Sequence, residues 1–221
     1  MKCPRCNSAN TIKHGSILAA RGRVQRFECK ECGKKFHPPL AEQPLNRIQG
    51  YLDIEASQLN ASFGHMLTWA LKLRGGEVLS DFIKIRSLTE EKRIVKSLIR
   101  ALGKVDEVVT YYGTRFDLPF ILTRALYHGL IFPEYMAASH LDLYYVARSR
   151  LRMHSNRLGT VADFLGAKGK TNLKPEVWVA ASFGDKKAIR YILDHNIADV
   201  TILEKVHEKL EPFMRGVQRS I

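Results

Sequence analysis

Beyond Cys32 the 221-residue chain contains no cysteine, so most of it can rely on neither disulfides nor thiolate-bound metal for stability. No apolar run approaches about 18 residues, which excludes a membrane-spanning helix. The opening residues MKCPRCNSAN carry no apolar signal region, and the expectation is a cytoplasmic protein without a membrane partner. Internal repeats and low-complexity tracts are missing too, which argues against solenoids and collagen-like rods. Acids are scarce: 22 Asp+Glu face 35 Lys+Arg, a net charge of +13. With 45% hydrophobic and 26% charged residues the chain can bury a real core, so the surplus concerns partners rather than fold. The simplest partner for it is a polyanion such as nucleic acid.

All four cysteines lie in the first 32 residues, as the pairs Cys3/Cys6 and Cys29/Cys32 with 22 residues between them. A Cys-x-x-Cys turn lets two thiolates bind one ion, and two such turns at this spacing predict a tetrahedral structural Zn²⁺ site. His14 and His37 are spare donors, but four thiols already fill the shell. The text around the cysteines resembles the zinc ribbons found at the start of many transposon-associated and transcription proteins, which touch nucleic acid or another protein. Residues 1–47 carry ten Lys/Arg and three acids, +7 of the total, leaving +6 for the other 174 residues. Pro38, Pro39 and Pro44 then mark a semi-rigid linker. The expected organisation is a ribbon over 1–37, a Pro-rich linker over 38–47 and a second domain over 48–221.

In that second domain Tyr51-Leu-Asp-Ile-Glu55 predicts a strand, followed by strands over 65–72 and 77–83 joined at Gly75-Gly76. Ser87-Leu-Thr-Glu90 is a capping box opening a helix to about Leu102. A strand over 107–112, a helix from Asp117 to about Gly129 and a mostly helical remainder from Asp142 follow, the 3.6-residue period being strongest over 186–210. Three strands, a helix, a strand and more helices make an α/β layered order.

The acids invite individual inspection. Asp53 and Glu55 are two apart on a strand and share one face, where two anions repel unless water or a hard divalent cation sits between them. Asp117 stands where a strand passes into a helix and reads by itself as an N-cap. Asp199 lies on the flank of an apolar stripe with His195 one turn earlier, so both face the protein body.

Asp-x-Glu on the first strand, Tyr112-Gly-x-x-Phe-Asp-Leu-Pro-Phe120 at the next strand-to-helix turn, and His195-Asn-x-x-Asp199 in a late helix together resemble a known pattern. It is that of the DEDD exonucleases of the RNase H-like superfamily, specifically the YprB-type ribonuclease-H-like domains and, more distantly, the proofreading domains of DNA polymerases. The likeness covers about residues 48–210. It implies an RNase H-like mixed sheet flanked by helices and a 3′-to-5′ exonuclease acting on single-stranded DNA or RNA. Two Mg²⁺ or Mn²⁺ ions would be held by Asp53, Glu55, Asp117 and Asp199. In that family the general base is a Tyr four residues before the last Asp or a His five before it. Here His195 stands at the four-residue spacing, and Tyr191 would take over only if the helix broke between them. A structure-selective endonuclease or resolvase on the same fold, and a non-catalytic nucleic-acid adaptor, are alternatives for the same residues.

Tyr112, Phe116 and Phe63 are candidates for stacking on terminal bases. Lys168, Lys170 and Lys174 are candidate phosphate contacts. The segment Lys168-Gly-Lys-Thr171 is no nucleoside triphosphate loop, because position 164, where that motif needs glycine, is Phe. Asp142 is a candidate N-cap or a supporting group of the site, and His140 an ordinary edge histidine.

Overall fold

The computed structural model describes residues 2–19, 22–37, 47–132, 139–167, 169 and 174–214. The linker expected over 38–47, apart from Arg47, and the candidates Lys168 and Lys170 lie outside the described residues. Met1–Asn46 and Arg47–Ile221 form two compact units.

The first unit is a three-stranded antiparallel sheet of β1 (Thr11–Ala19), β2 (Gly22–Cys29) and β3 (Lys35–Phe36), with β2 in the middle. Its core is small: Cys3, Cys29 and Phe36 are buried, with Phe27 and Cys32 packed against them. So small a core among the described residues leaves a large part for a further cross-link to play.

The second unit is built on β4 (Gln49–Ala56), β5 (Met66–Leu73), β6 (Val78–Phe82), β7 (Glu107–Thr110) and β8 (Ser139–Asp142), in the order β6-β5-β4-β7-β8. β4 pairs antiparallel with β5 and parallel with β7, which is itself parallel to β8. Alternation along β4 sends Leu52 and Ile54 to one face and Tyr51, Asp53 and Glu55 to the other. On the first face they join Trp69, Leu71, Ile94, Leu98 of α1 (Leu88–Leu102) and Phe120 and Ile121 of α2 (Asp117–Tyr127). On the other, Tyr51, Ala70 and Val109 pack with α3 (Leu143–Arg150), α4 (Leu158–Phe164) and Val200, Leu203 and Val206 of α6 (Lys186–Leu210). The short α5 (Pro175–Ser182) precedes α6. This is a mixed α/β sandwich of the RNase H-like kind.

Several sequence expectations shift. The strand expected over 107–112 ends at Thr110, because Tyr112 adopts φ +68°, outside strand geometry. β8 falls where the sequence reads as the approach to a helical region; four residues at a sheet edge are too short to set up a period of their own. The capping box at Ser87 is half formed: its hydroxyl accepts from the Glu90 amide, but the Glu90 carboxylate takes the Lys84 amide and Arg93 instead.

One buried ion network ties α1, α2 and the β4–β5 loop together. Glu91, wholly buried, accepts from the Met66 amide at 2.9 Å, from the Arg124 guanidinium on both oxygens and from His128 at 2.9 Å. Arg124 also donates to the Ala61 carbonyl at 3.0 Å. Burial alone would push the Glu91 carboxyl up, but Arg124, the Met66 amide and His128 hold it below the ordinary value. Truncating Glu91 strands a buried guanidinium, so Glu91→Ala should cost about 3–5 kcal/mol in urea unfolding. Breaking the half-exposed Arg74–Glu211 pair by Arg74→Ala should cost under about 1 kcal/mol.

Candidate active site

β7 stops at Thr110 while its neighbour β4 runs on to Ala56, and their ladder ends at Tyr51–Val109. β4 remains paired with β5 on its other edge, but its amides that face β7 beyond that point have lost their strand partner and need another acceptor. Asp117 supplies it: its Oδ1 accepts from the Ile54 amide at 3.1 Å. The N-cap role that Asp117 suggests in the sequence is therefore not the one it plays. α2 is capped at Phe116, without a side-chain bond, and the Asp117 carboxylate reaches across to β4. That brings it beside Asp53 and Glu55 at the carboxyl ends of two parallel strands, where open α/β sheets place their ligands.

Asp142 holds the β7–α2 connection in shape. It caps α3 through the Tyr144 amide and also accepts from the amides of Tyr112 and Thr114 and the Thr114 hydroxyl, at 2.7–3.1 Å. Gly113 within this turn is required, since a Cβ there would sit 2.4 Å from the Thr110 hydroxyl oxygen. Tyr112 is thereby kept at a positive φ with its ring half exposed and edge-on to Tyr144, centroids 4.8 Å apart. A bulky residue in that region costs strain of order 1–3 kcal/mol, which the Asp142 bonds to this turn offset.

The fourth acid arrives on α6, unbroken from Lys186 to Leu210, so the break that would promote Tyr191 is absent. α6 lies on the acidic face of β4 and is pinned by polar pairs along its length. Asn196, wholly buried, donates to Asp53 Oδ2 and accepts from the Thr68 hydroxyl at 2.7 Å. Lys72 meets Glu204 at 3.1 Å, and the Tyr51 hydroxyl meets His207 Nδ1 at 2.9 Å. Ala70, opposite Asp53 in the ladder, has too small a side chain to hold the helix off. In this register His195 and Asp199 are buried, with Nε2 3.6 Å from Oδ2. In the sequence Asn196 reads as an ordinary polar residue between two candidates.

Burial, then Asp117, Glu55 and Asp199, push the Asp53 carboxyl well above the ordinary value, against the Asn196 bond. Burial likewise pushes Asp117 up to about 7, although the Ile54 amide opposes it. Anions brought together in this way would be relieved by a hard cation, and oxygen donors are the kind that Mg²⁺ or Mn²⁺ takes. The carboxylates spread wider than a single-ion cage: among the described residues only the cysteines bring three or more ligand atoms within 4.8 Å of one another. Cys3 and Cys32 sulfurs are 3.6 Å apart and those of Cys6 and Cys29 3.5 Å apart. A tetrahedron with 2.3 Å bonds has edges of about 3.8 Å, so this cluster fits Zn²⁺. Both knuckles close alike, Asn7 and Gly33 donating to the carbonyls of Cys3 and Cys29 at 2.9 Å with φ of +59° and +69°.

Of the remaining candidates, Phe63 is 74% exposed in the β4–β5 loop, following Glu55. Phe116 is half-buried and packs on Phe120, its ring serving the core rather than the surface. Lys174 is exposed before α5.

The pH dependence has a defined sign. A carboxyl whose folded value is raised favours the folded state while protonated and weakens it once ionised. Without divalent cations, stability should fall as pH rises from about 4 through about 7, the range set by Asp117. Thermal melts in EDTA should show this fall, Mg²⁺ should stabilise more at pH 8 than at pH 5, and Asp117→Asn should flatten both trends.

The family model of the RNase H superfamily matches residues 50–211. A DNA polymerase from Pyrococcus glycovorans is 19% identical over 162 residues, 64% of this chain and 21% of the polymerase. The solved family B DNA polymerase from the hyperthermophilic archaeon Pyrobaculum calidifontis superposes with a TM-score of 0.65 at 18% identity, over 92% of this chain and 29% of its own. The chain thus spans less than a third of either polymerase, and the superposition speaks for the fold. With nearly three quarters of its residues inside the family match and the strand order described above, the chain belongs to the RNase H superfamily.

Proposed function

We propose that this protein is a two-metal-ion 3′-to-5′ exonuclease that hydrolyses phosphodiester bonds in single-stranded nucleic acid, with DNA weakly preferred over RNA. The observation that carries this reading is the convergence of acids on β4: Asp117 is held by the Ile54 amide, between Asp53 and Glu55, and Asn196, three residues before Asp199 on α6, is bonded to Asp53. Four acids drawn from one strand and two helices, with burial and mutual repulsion raising the Asp53 carboxyl, point to bound cations. Asp53, Glu55, Asp117 and Asp199 would hold them. Two such ions, when bound, activate a water and stabilise the leaving oxygen of an in-line displacement at phosphorus.

The chain's own groups do the rest. His195, one helical turn before Asp199, accepts the proton of the attacking water, and the carboxylate 3.6 Å from its Nε2 stabilises the resulting imidazolium. Asn196 and Thr68 fix the orientation of Asp53. Tyr112 and Phe63 offer exposed rings to the terminal bases, and Lys174 a charge to the backbone. The cysteine cluster holds one structural Zn²⁺, and the basic ribbon around it grips phosphates or a protein partner.

End-labelled single strands of DNA and RNA should be shortened in a ladder with Mg²⁺ or Mn²⁺. Asp53→Ala and Asp199→Ala should each lower the rate by about 10³-fold, and His195→Ala by about 10²–10⁴-fold. A wild-type protein that releases nothing, or that cuts a circular single strand, would sink the exonuclease reading. Deleting residues 1–37 should flatten the salt dependence of strand binding, measured by fluorescence anisotropy, more than it slows cleavage of short substrates.

A further inference from the structure

Between the end of α3 and α4 the chain runs Arg148-Ser-Arg-Leu-Arg-Met-His-Ser-Asn-Arg157, with four arginines and a histidine in ten residues and no acid. Arg150, Arg152 and His154 of this stretch border a concavity. A cleft of about 660 Å³ opens there, lined by Arg150, Arg152, Met153, His154 and, from α4, Thr160, Asp163 and Phe164. The ring of Phe164 is 69% exposed. Neither Arg152 nor His154 makes an ion pair or a side-chain hydrogen bond among the described residues, and Asp163 is the one acid on the rim. Arg152 and His154 beside this hollow repel each other when both are charged, so their arrangement favours an anionic occupant.

The loop is also fixed in relation to the acidic centre. The Tyr111 hydroxyl donates to the Asn156 carbonyl at 2.6 Å, tying the far end of the basic segment to the turn that delivers Asp117. α3 begins at that same turn, where Asp142 caps it and Tyr144 meets the exposed Tyr112 ring. It ends eight residues later at Arg150, about 12 Å on.

We propose that the α3–α4 cleft is a second nucleic-acid site that binds the phosphates of a single strand upstream of its terminus, Arg150 and Arg152 taking successive phosphates and Phe164 offering a stacking face. The proposal deepens the nuclease reading and rests on it for the direction of the strand. It differs from the ribbon in lying on the catalytic unit itself.

The test uses the full chain in Ca²⁺, with 5′-fluorescein-labelled DNA strands of about 4 and about 20 nucleotides and anisotropy read across a salt series. The triple variant Arg150→Ala, Arg152→Ala, His154→Ala should weaken binding of the longer strand about 10-fold or more and reduce its salt slope by about 1.4, the share of two phosphates. Its loss on the shorter strand should be smaller. Lys92→Ala with Lys96→Ala, which removes two exposed charges from α1, should leave both strands unaffected. Arg152→Glu, a single exposed change, should reproduce the loss and serves if the triple variant folds poorly. Equal effects of cleft and α1 variants, or equal losses on both strands, would overturn the proposal. A cleft-dependent slope in a protein that never cleaves would uphold this site and remove the nuclease reading, so the two stand or fall separately.

Discussion

Carboxylates repel one another more strongly as water is withdrawn from them, and the larger unit is organised around tolerating that repulsion. Asp53 sits at the centre of it, on the middle strand of the sheet with an acid on each of three sides. What keeps the site together is a set of individually modest donors. The Ile54 amide fixes Asp117, the Asn196 amide fixes Asp53, and backbone amides of the β7–α2 turn fix Asp142. Each donor exists because the fold leaves it unpaired at that point: β7 is shorter than β4, and α6 presents Asn196 to the sheet instead of an apolar residue. A sheet with matched strands and a purely apolar helix would be more stable and would hold no such site.

α6 shows how register becomes chemistry. An amphipathic helix on a sheet can slide by a residue at little cost if only apolar side chains meet. Here Asn196 meets Thr68 and Asp53, Glu204 meets Lys72 and the Gly75 amide, and His207 meets Tyr51, so a slip of one residue would break these buried or part-buried polar contacts together. The same contacts set the depth at which Asp199 and His195 face β4. The distance between acids on separate elements is thus governed by residues that are neither ligands nor bases.

What the sequence discloses and what it conceals follow from the same physics. The alternation of Tyr51-Leu-Asp-Ile-Glu55, the periodic stripe of α6 and the paired Cys-x-x-Cys turns are local patterns, and each appears where the spacing predicts it. Asp117 is legible as a site residue through its likeness to a family, but its local reading as an N-cap fails. Its true partner is the Ile54 amide, 63 positions away, which no local pattern can reveal. Asn196 is hidden for the same reason, since its worth depends on Asp53 143 positions off. β8 is hidden by brevity. Long-range hydrogen bonds to backbone and between polar side chains are the part of the site that a single sequence does not spell out.

The +13 surplus takes on a more definite shape when distributed over the structure. Asp53 and Glu55 lie towards the end of β4, Asp117 at the start of α2 and Asp199 within α6. Had Arg150 or Arg152 projected into the acidic centre, it would have paired with Asp53 or Asp117 and lowered their pKa, in the way Arg124 does for Glu91. The raised values of both acids instead register no nearby cation among their main influences. Positive charge kept about one short helix away from a negative centre is a poor way to stabilise a monomer. It is an effective way to hold a polyanion by its backbone while leaving the acids available for metal, because a cation within salt-bridge range would compete with the metal for the same oxygens. The separation of the two signs, more than the size of the surplus, is what ties this fold to phosphodiester chemistry.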